Sequence, residues 1–179
     1  VAQAMATLAQ LGGPLAQADF GDRPLFEREL ERAVAGADLV QENGPERIDF
    51  KRGLWRRIEA AAPAQALFLS SSSALPATEQ AREMATPQRL LVGHPFNPPH
   101  IIPLVEVVPG EATAASAVQE AVAFYTAVGK VPKVLRKEVS GFVANRLQSA
   151  IFRECVALVA AGVVGIRELH GIVTHSVGL

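Results

Sequence analysis

One histidine and one glutamate carry the clearest chemical signal in the sequence. His94 follows the apolar run 90–93 and precedes the proline-rich stretch 95–99, and Glu106 lies twelve residues further on, inside the apolar run 104–108. A carboxylate among apolar neighbours is costly to bury without a partner. A histidine held by a carboxylate and by proline-restricted backbone can act as a general base near neutral pH. The spacing therefore predicts a His–Glu acid–base pair.

Plainer interpretations of both residues remain open from the sequence. His94 could cap the end of a strand and form only local hydrogen bonds. Glu106 could lie on the exposed face of an edge strand. The apolar residues on both sides of Glu106 favour the buried, paired alternative for this residue.

Two further polar positions could contact a substrate oxygen. Ser73 closes the serine run 70–73, directly after the apolar run 66–69, and its hydroxyl could bind a ligand or cap a helix. Asn145 lies early in a long helical pattern, where it could reach a substrate or bond to local backbone. No Gly-x-Ser-x-Gly motif is present, which argues against a nucleophilic serine.

Glu46 and Lys51 form a third candidate set. They follow a predicted strand that ends at Glu42, one to two turns into a predicted helix, so that both could face one cleft edge. The alternative is a solvated ion pair, worth about 0.3–0.5 kcal/mol at most.

The elements that must position these residues can be recognised by their hydrophobic patterns. Apolar runs typical of strands lie at residues 37–42, 66–69, 90–93, 103–108 and 131–135, with a shorter one at 25–26. Helical patterns lie at residues 1–11, 29–35, 47–62, 78–84 and 113–128. Continuous apolar strands that alternate with helices indicate a parallel sheet covered on both faces. In such a sheet, His94 ends a strand at the edge where ligands bind.

The pattern changes after Arg136, where no further strand is predicted. Residues 141–161 form one long helical pattern, and residues 166–173 form another. We therefore place a domain boundary near residues 136–140.

Composition excludes several classes of protein. The 179 residues carry 17 basic and 18 acidic side chains, with 49% hydrophobic residues and a mean hydropathy of +0.21. The high hydrophobicity argues against disorder. The absence of a basic excess argues against a nucleic-acid partner. The apolar runs are too short for a membrane span. The single cysteine and the dispersed histidines predict no disulfide framework and no metal site. These features predict a cytoplasmic protein.

Together, five segments resemble the 3-hydroxyacyl-CoA dehydrogenase superfamily, in the family's order and over nearly the whole chain. They are residues 37–51, 70–75, 93–99, 104–107 and 137–147. The His-Pro-Phe-Asn-Pro segment at 94–98 with the downstream Glu106 is the most specific of them. The serine run 70–73 and the run 98–106 resemble the branch that contains lambda-crystallin/L-gulonate 3-dehydrogenase and carnitine 3-dehydrogenase.

The resemblance implies a fold, a cofactor and roles for the candidate residues. The fold would be a Rossmann-type, doubly wound α/β domain with a mostly parallel sheet over residues 1–137, followed by an all-α domain over 138–179. The cofactor would be NAD, and the protein would form a homodimer. His94 would be the general base, Glu106 would orient it, and Ser73 and Asn145 would bind the substrate oxygen. Three residues would line the nicotinamide or substrate cleft: Glu46, Lys51 and Asn97.

The resemblance leaves the substrate open. A 3-hydroxyacyl-CoA is the default, a free hydroxy acid such as L-gulonate or carnitine is the alternative, and a crystallin-like structural protein is a third possibility. The family's Gly-x-Gly-x-x-Gly motif is absent, since Gly12-Gly13 lacks its spacing. Because the chain begins with Val1, inside a helical pattern, we expect a fragment that lacks the first βαβ unit. These residues alone are expected to bind NAD poorly, and NADP remains an alternative cofactor.

Overall fold

The computed structural model of the chain describes residues 25–176 as an α/β sheet domain followed by two helices. The five strands are β1 (Leu39–Glu42), β2 (Leu67–Ser70), β3 (Leu90–Pro95), β4 (Leu104–Pro109) and β5 (Val131–Val134). The α-helices within residues 25–176 are α1 (Leu30–Val34), α2 (Ile48–Ala61), α3 (Ala77–Gln80), α4 (Ala115–Ala127), α5 (Ala144–Ala160) and α6 (Ile166–Thr174). The helix predicted at residues 1–11 lies outside the described residues.

The strands form one sheet in the order β1-β2-β3-β4-β5. β1, β2 and β3 are parallel, β4 is antiparallel to β3, and β5 is parallel to β4. The mostly parallel sheet predicted from the sequence is confirmed. Because β4 is antiparallel, its beginning lies beside the end of β3, and this places Glu106 directly opposite His94.

Helices cover both faces of the sheet. On one face, Trp55 and Ile58 of α2 pack with Phe68 of β2, and all three are buried. On the other face, α4 contributes Ala121 and Tyr125 to a second cluster with strand side chains. This alternation explains why the strand sequences are continuously apolar: successive side chains enter opposite clusters, and both clusters exclude water.

The chain divides into two compact units, one ending at Ser140 and one beginning at Gly141. The first unit contains all five strands of the described residues, and the second contains α5 and α6. The domain boundary predicted between residues 137 and 138 stays a prediction.

Three local predictions were wrong. Residues 25–26 form no strand, and both side chains are largely exposed, because a two-residue apolar run without a partner strand buries too little surface. The α-helix predicted over 78–84 is present only at Ala77–Gln80, and a 3₁₀ turn at Ala81–Glu83 replaces its second half. The helix predicted from 141 begins only at Ala144, because residues 141 and 142 have φ of 74° and 49°, outside the right-handed helical region.

Among residues 25–176, no helix is long and apolar enough to cross a membrane.

Candidate active site

His94 and Glu106 form a buried hydrogen-bonded pair across β3 and β4. The Nδ1–H of His94 donates to Oε2 of Glu106 over 3.0 Å, and each residue is 3% exposed. A carboxylate only accepts hydrogen bonds, so Glu106 selects the tautomer with the proton on Nδ1. The lone pair of His94 then lies on Nε2, which is the arrangement a general base needs.

An aromatic side chain flanks this base. The ring of Phe96 lies 4.5 Å from the ring of His94, centroid to centroid, at an interplanar angle of 57°. Phe96 follows the end of β3 and is half-buried. This contact restricts the tilt of the imidazole ring, while the hydrogen bond to Glu106 sets its tautomer.

The serine run forms a tight turn around the carboxylate of Glu46. Oε1 of Glu46 accepts hydrogen bonds from the Ser72 hydroxyl and from the backbone N–H groups of Ser73 and Ala74, at 2.5, 3.1 and 2.9 Å. Partial burial acts to raise the pKa of Glu46, but the hydrogen bonds and the charge of Lys51 outweigh it and lower the pKa. Glu46 therefore stays ionised and fixes the backbone that carries Ser73.

Lys51 is more deeply buried than a solvated ion pair would allow. It is 1% exposed, and its Nζ lies 2.6 Å from Oε2 of Glu42 and 3.7 Å from Oε2 of Glu46. The same Glu42 oxygen accepts the hydroxyl of Ser70. The sequence interpretation of a surface Glu46–Lys51 pair was wrong about burial, because Glu42 supplies the partner that lets the ammonium be buried. The placement of Glu46 inside a helix was also wrong, since α2 begins at Ile48.

Glu42 is thus a residue of this site that the sequence interpretation missed. Its position as the last residue of β1 was visible, and a carboxylate that ends an apolar strand is a signal of a buried partner.

A second missed feature is a series of side-chain hydrogen bonds that runs from α4 to the ends of two strands. The Tyr125 hydroxyl donates to Oε1 of Gln41 over 2.7 Å, and Nε2 of Gln41 donates to the Ser71 hydroxyl over 2.7 Å. Burial raises the pKa of Tyr125, so the phenol stays a neutral donor. These hydrogen bonds join α4 to the ends of β1 and β2. No short sequence pattern relates the three segments.

The two asparagines occupy different units. Asn97 lies exposed in the loop that follows β3, three residues after His94. Asn145 is the second residue of α5, in the helical unit. The structure therefore brings together His94 with Glu106, and Ser73 with Glu46 and Lys51, at the sheet edge. The catalytic and binding roles of all seven predicted residues stay predictions.

The sheet edge has the chemistry to receive the nicotinamide end of a dinucleotide. β1 and β2 end side by side there, and their termini carry one buried ammonium, two carboxylates and several hydroxyls. Ribose hydroxyls and a carboxamide are recognised by such donors and acceptors. Within residues 25–176, no group of three His, Cys, Asp or Glu side chains could hold a metal ion.

Comparison with known proteins identifies the family. Residues 16–139 match the family described as 3-hydroxyacyl-CoA dehydrogenase, NAD binding domain. The chain belongs to this family. This match confirms the resemblance inferred from the sequence and supports NAD as the cofactor.

Individual relatives are similar over most of the chain. The L-carnitine dehydrogenase of Streptomyces griseus subsp. griseus is 47% identical over 179 residues, which cover 100% of this chain and 53% of that protein. A 3-hydroxyacyl-CoA dehydrogenase of Gibberella moniliformis is 48% identical over 157 residues, which cover 86% of this chain and 48% of that protein. The chain thus spans about half the length of the curated relatives it matches.

A solved structure confirms the fold. The NAD⁺-dependent 5-formyl-3-hydroxy-2-methylpyridine 4-carboxylic acid 5-dehydrogenase superposes with a TM-score of 0.86 at 35% identity, covering 99% of this chain and 56% of that one. The Rossmann-type α/β architecture predicted from the sequence is therefore confirmed.

Proposed function

We propose that these residues belong to an NAD-dependent dehydrogenase that oxidises the hydroxyl group of L-carnitine. The observation that carries the proposal is the similarity to an L-carnitine dehydrogenase over all 179 residues, combined with a buried His94–Glu106 pair. The match to a 3-hydroxyacyl-CoA dehydrogenase covers less of the chain. The default substrate inferred from the sequence, a 3-hydroxyacyl-CoA, is therefore less well supported than the alternative.

The charge of the sheet edge supports a substrate with a cationic group. Glu42 and Glu46 both approach Lys51, so this trio has one more negative than positive charge. L-carnitine carries a quaternary ammonium group, which an electronegative edge attracts. The phosphates of coenzyme A would instead require unpaired basic side chains, and Lys51 is already neutralised by Glu42.

The chemistry assigned to the chain's own residues is proton transfer and positioning. Nε2 of His94 accepts the proton of the substrate hydroxyl, and Glu106 stabilises the imidazolium that forms. Ser73 and Asn145 donate hydrogen bonds to the substrate oxygen. When bound, NAD would supply the acceptor for the hydride of the carbon that bears this hydroxyl. Glu46, Lys51 and Asn97 would hold its nicotinamide end or the substrate.

The decisive experiment compares substrates in the full-length protein. NADH formation is followed with L-carnitine, 3-hydroxybutyryl-CoA and L-gulonate, each with NAD. We expect kcat/KM for L-carnitine to exceed the other two values by at least about 100-fold, which corresponds to about 2.7 kcal/mol of discrimination.

Two results would contradict the proposal. A higher kcat/KM with 3-hydroxybutyryl-CoA would restore the acyl-CoA interpretation. Turnover of none of the three substrates, with no effect of His94→Ala, would favour the crystallin-like structural protein.

A further inference from the structure

The loop between β3 and β4 has more carbonyl acceptors than donors of its own. Residues 96–103 include Pro98, Pro99 and Pro103, which have no backbone N–H. Within the loop, the carbonyl of Pro98 already accepts the N–H groups of Ile101 and Ile102, both at 3.0 Å. The remaining carbonyls can therefore accept donors from outside the loop.

Lys130 and its neighbour supply these donors. Nζ of Lys130 donates to the carbonyl of Pro99 and, over 3.3 Å, to the carbonyl of Ile102. The backbone N–H of Val131 donates to the carbonyl of Pro103 over 2.8 Å. One lysine and the residue after it thus bind three carbonyls of the loop, those of Pro99, Ile102 and Pro103.

The end of α4 holds Lys130 where it can reach the loop. The N–H of Gly129 donates to the carbonyl of Thr126, and the N–H of Lys130 donates to that of Tyr125, at 3.0 and 2.8 Å. These two bonds form a Schellman motif, with Gly129 in the left-handed conformation at a φ of 78°. The backbone of Lys130 is therefore fixed before its side chain makes any contact.

From this geometry we propose that Lys130 is a positioning residue of the active site, acting through the 96–103 loop. The loop begins at Phe96, whose ring packs on His94, and carries Asn97. A lysine ammonium that holds two carbonyls limits how far this segment can move away from the base. The consequence for catalysis rests on the proposed dehydrogenase function, whereas the anchoring of the loop does not.

The test uses the full-length protein with Lys130→Met, which keeps most of the length of the side chain and removes its donors. Hydrogen–deuterium exchange of the peptide that contains residues 97–102 should accelerate about tenfold or more, because a hydrogen bond to a charged group is worth about 1.5–3 kcal/mol. With L-carnitine, kcat/KM should fall about tenfold. Lys130→Arg keeps the charge and the donors. Its exchange rate and its kcat/KM should therefore both lie close to the wild-type values.

Two controls separate positioning from general damage. Lys137→Met removes an exposed lysine from the segment after β5 and should change neither quantity. Exchange in β2, in the core of the sheet, should be the same in all variants, which shows that the fold is intact.

Unchanged exchange of residues 97–102 in Lys130→Met would overturn the proposal. Faster exchange with an unchanged kcat/KM would overturn its catalytic part. If the wild-type protein does not oxidise L-carnitine, the proposed substrate fails, but the exchange measurement still decides whether Lys130 anchors the loop.

Discussion

His94 and Glu106 are placed by the simplest geometry a sheet offers, a directly opposed pair on two antiparallel strands. Side chains in such a pair have Cβ atoms about 4.5–5.5 Å apart, which suits a carboxylate–imidazole hydrogen bond. Both side chains are buried, so neither can be solvated if the other is removed. The pair is therefore locked in register by the strand pairing itself.

Replacement of His94 by Gln tests the role of the base. We expect kcat to fall by about 10²–10⁴-fold, because the amide cannot accept the proton, while NAD affinity stays nearly intact. Steady-state kinetics and a cofactor titration measure the two effects. The control is His100→Gln, which changes an exposed histidine in the following loop. An unchanged kcat in His94→Gln would show that the base lies elsewhere.

The turn that carries Ser73 is organised by a side chain from another element. Glu46 precedes α2 and accepts hydrogen bonds from residues of the 72–75 turn. A distant carboxylate thus holds the Ser73 backbone, together with the local cap that the Ser72 hydroxyl forms on the N–H of Leu75.

The lowered pKa of Glu46 predicts how the stability of this turn depends on pH. Because the folded pKa lies below the unfolded value of 4.5, ionised Glu46 adds stability that is complete above about pH 4.5 and lost as the pH falls through the folded pKa. Wild-type protein should therefore exceed Glu46→Gln in unfolding free energy at about pH 6, and the difference should shrink at about pH 3. Urea unfolding at both values measures this difference.

Glu59 provides a matched control for Glu46. Burial acts to raise its pKa, but hydrogen bonds from Thr86 and Ala85 outweigh this and lower it. Glu59→Gln should show the same pH dependence of stability, with no change in kcat because its turn is not the one that carries Ser73. If the difference in unfolding free energy between wild type and Glu46→Gln did not vary with pH, ionisation of Glu46 would not be its cause.

The strand that delivers His94 depends on a close approach from α4. A Cβ at Gly93 would lie 1.9 Å from the Tyr125 hydroxyl oxygen and 2.7 Å from its Cζ. Gly93→Ala should therefore destabilise the protein by at least about 2 kcal/mol, since a packed core cannot absorb the overlap. Urea unfolding measures the loss.

A second glycine serves as the comparison for Gly93. Gly53 lies inside α2, and within the described part of the chain a Cβ there meets no atom within 4 Å. Gly53→Ala should stabilise the protein by about 0.5–1 kcal/mol, because alanine loses less backbone entropy in a helix. Equal changes in unfolding free energy for the two substitutions would mean that Tyr125 moves aside without cost.

At the scale of the whole molecule, local hydrophobic patterns were sufficient to predict the strands of the sheet. They were not sufficient to predict the side-chain contacts between distant segments. The apolar runs at 66–69 and 90–93 predicted buried strands because both of their faces are covered. The chain from Tyr125 through Gln41 to Ser71 could not be predicted, because it joins residues up to 84 positions apart whose proximity exists only after the sheet has formed. The register of β3 and β4 likewise turned a plausible His94–Glu106 pair into a definite one.

The sequence motifs that the chain contains also predict its affinity for the cofactor. Dinucleotide-binding folds hold the pyrophosphate at a helix N-terminus that follows a Gly-x-Gly-x-x-Gly turn, and this 179-residue sequence contains no such motif. The edge residues Glu46 and Lys51 could hold only the nicotinamide end. We therefore expect the 179-residue chain by itself to bind NAD at least about 100-fold more weakly than the NAD⁺-dependent 5-formyl-3-hydroxy-2-methylpyridine 4-carboxylic acid 5-dehydrogenase, of which it covers 56%. Isothermal titration calorimetry of both proteins measures the ratio, and equal affinities would mean that these residues provide a phosphate site of their own.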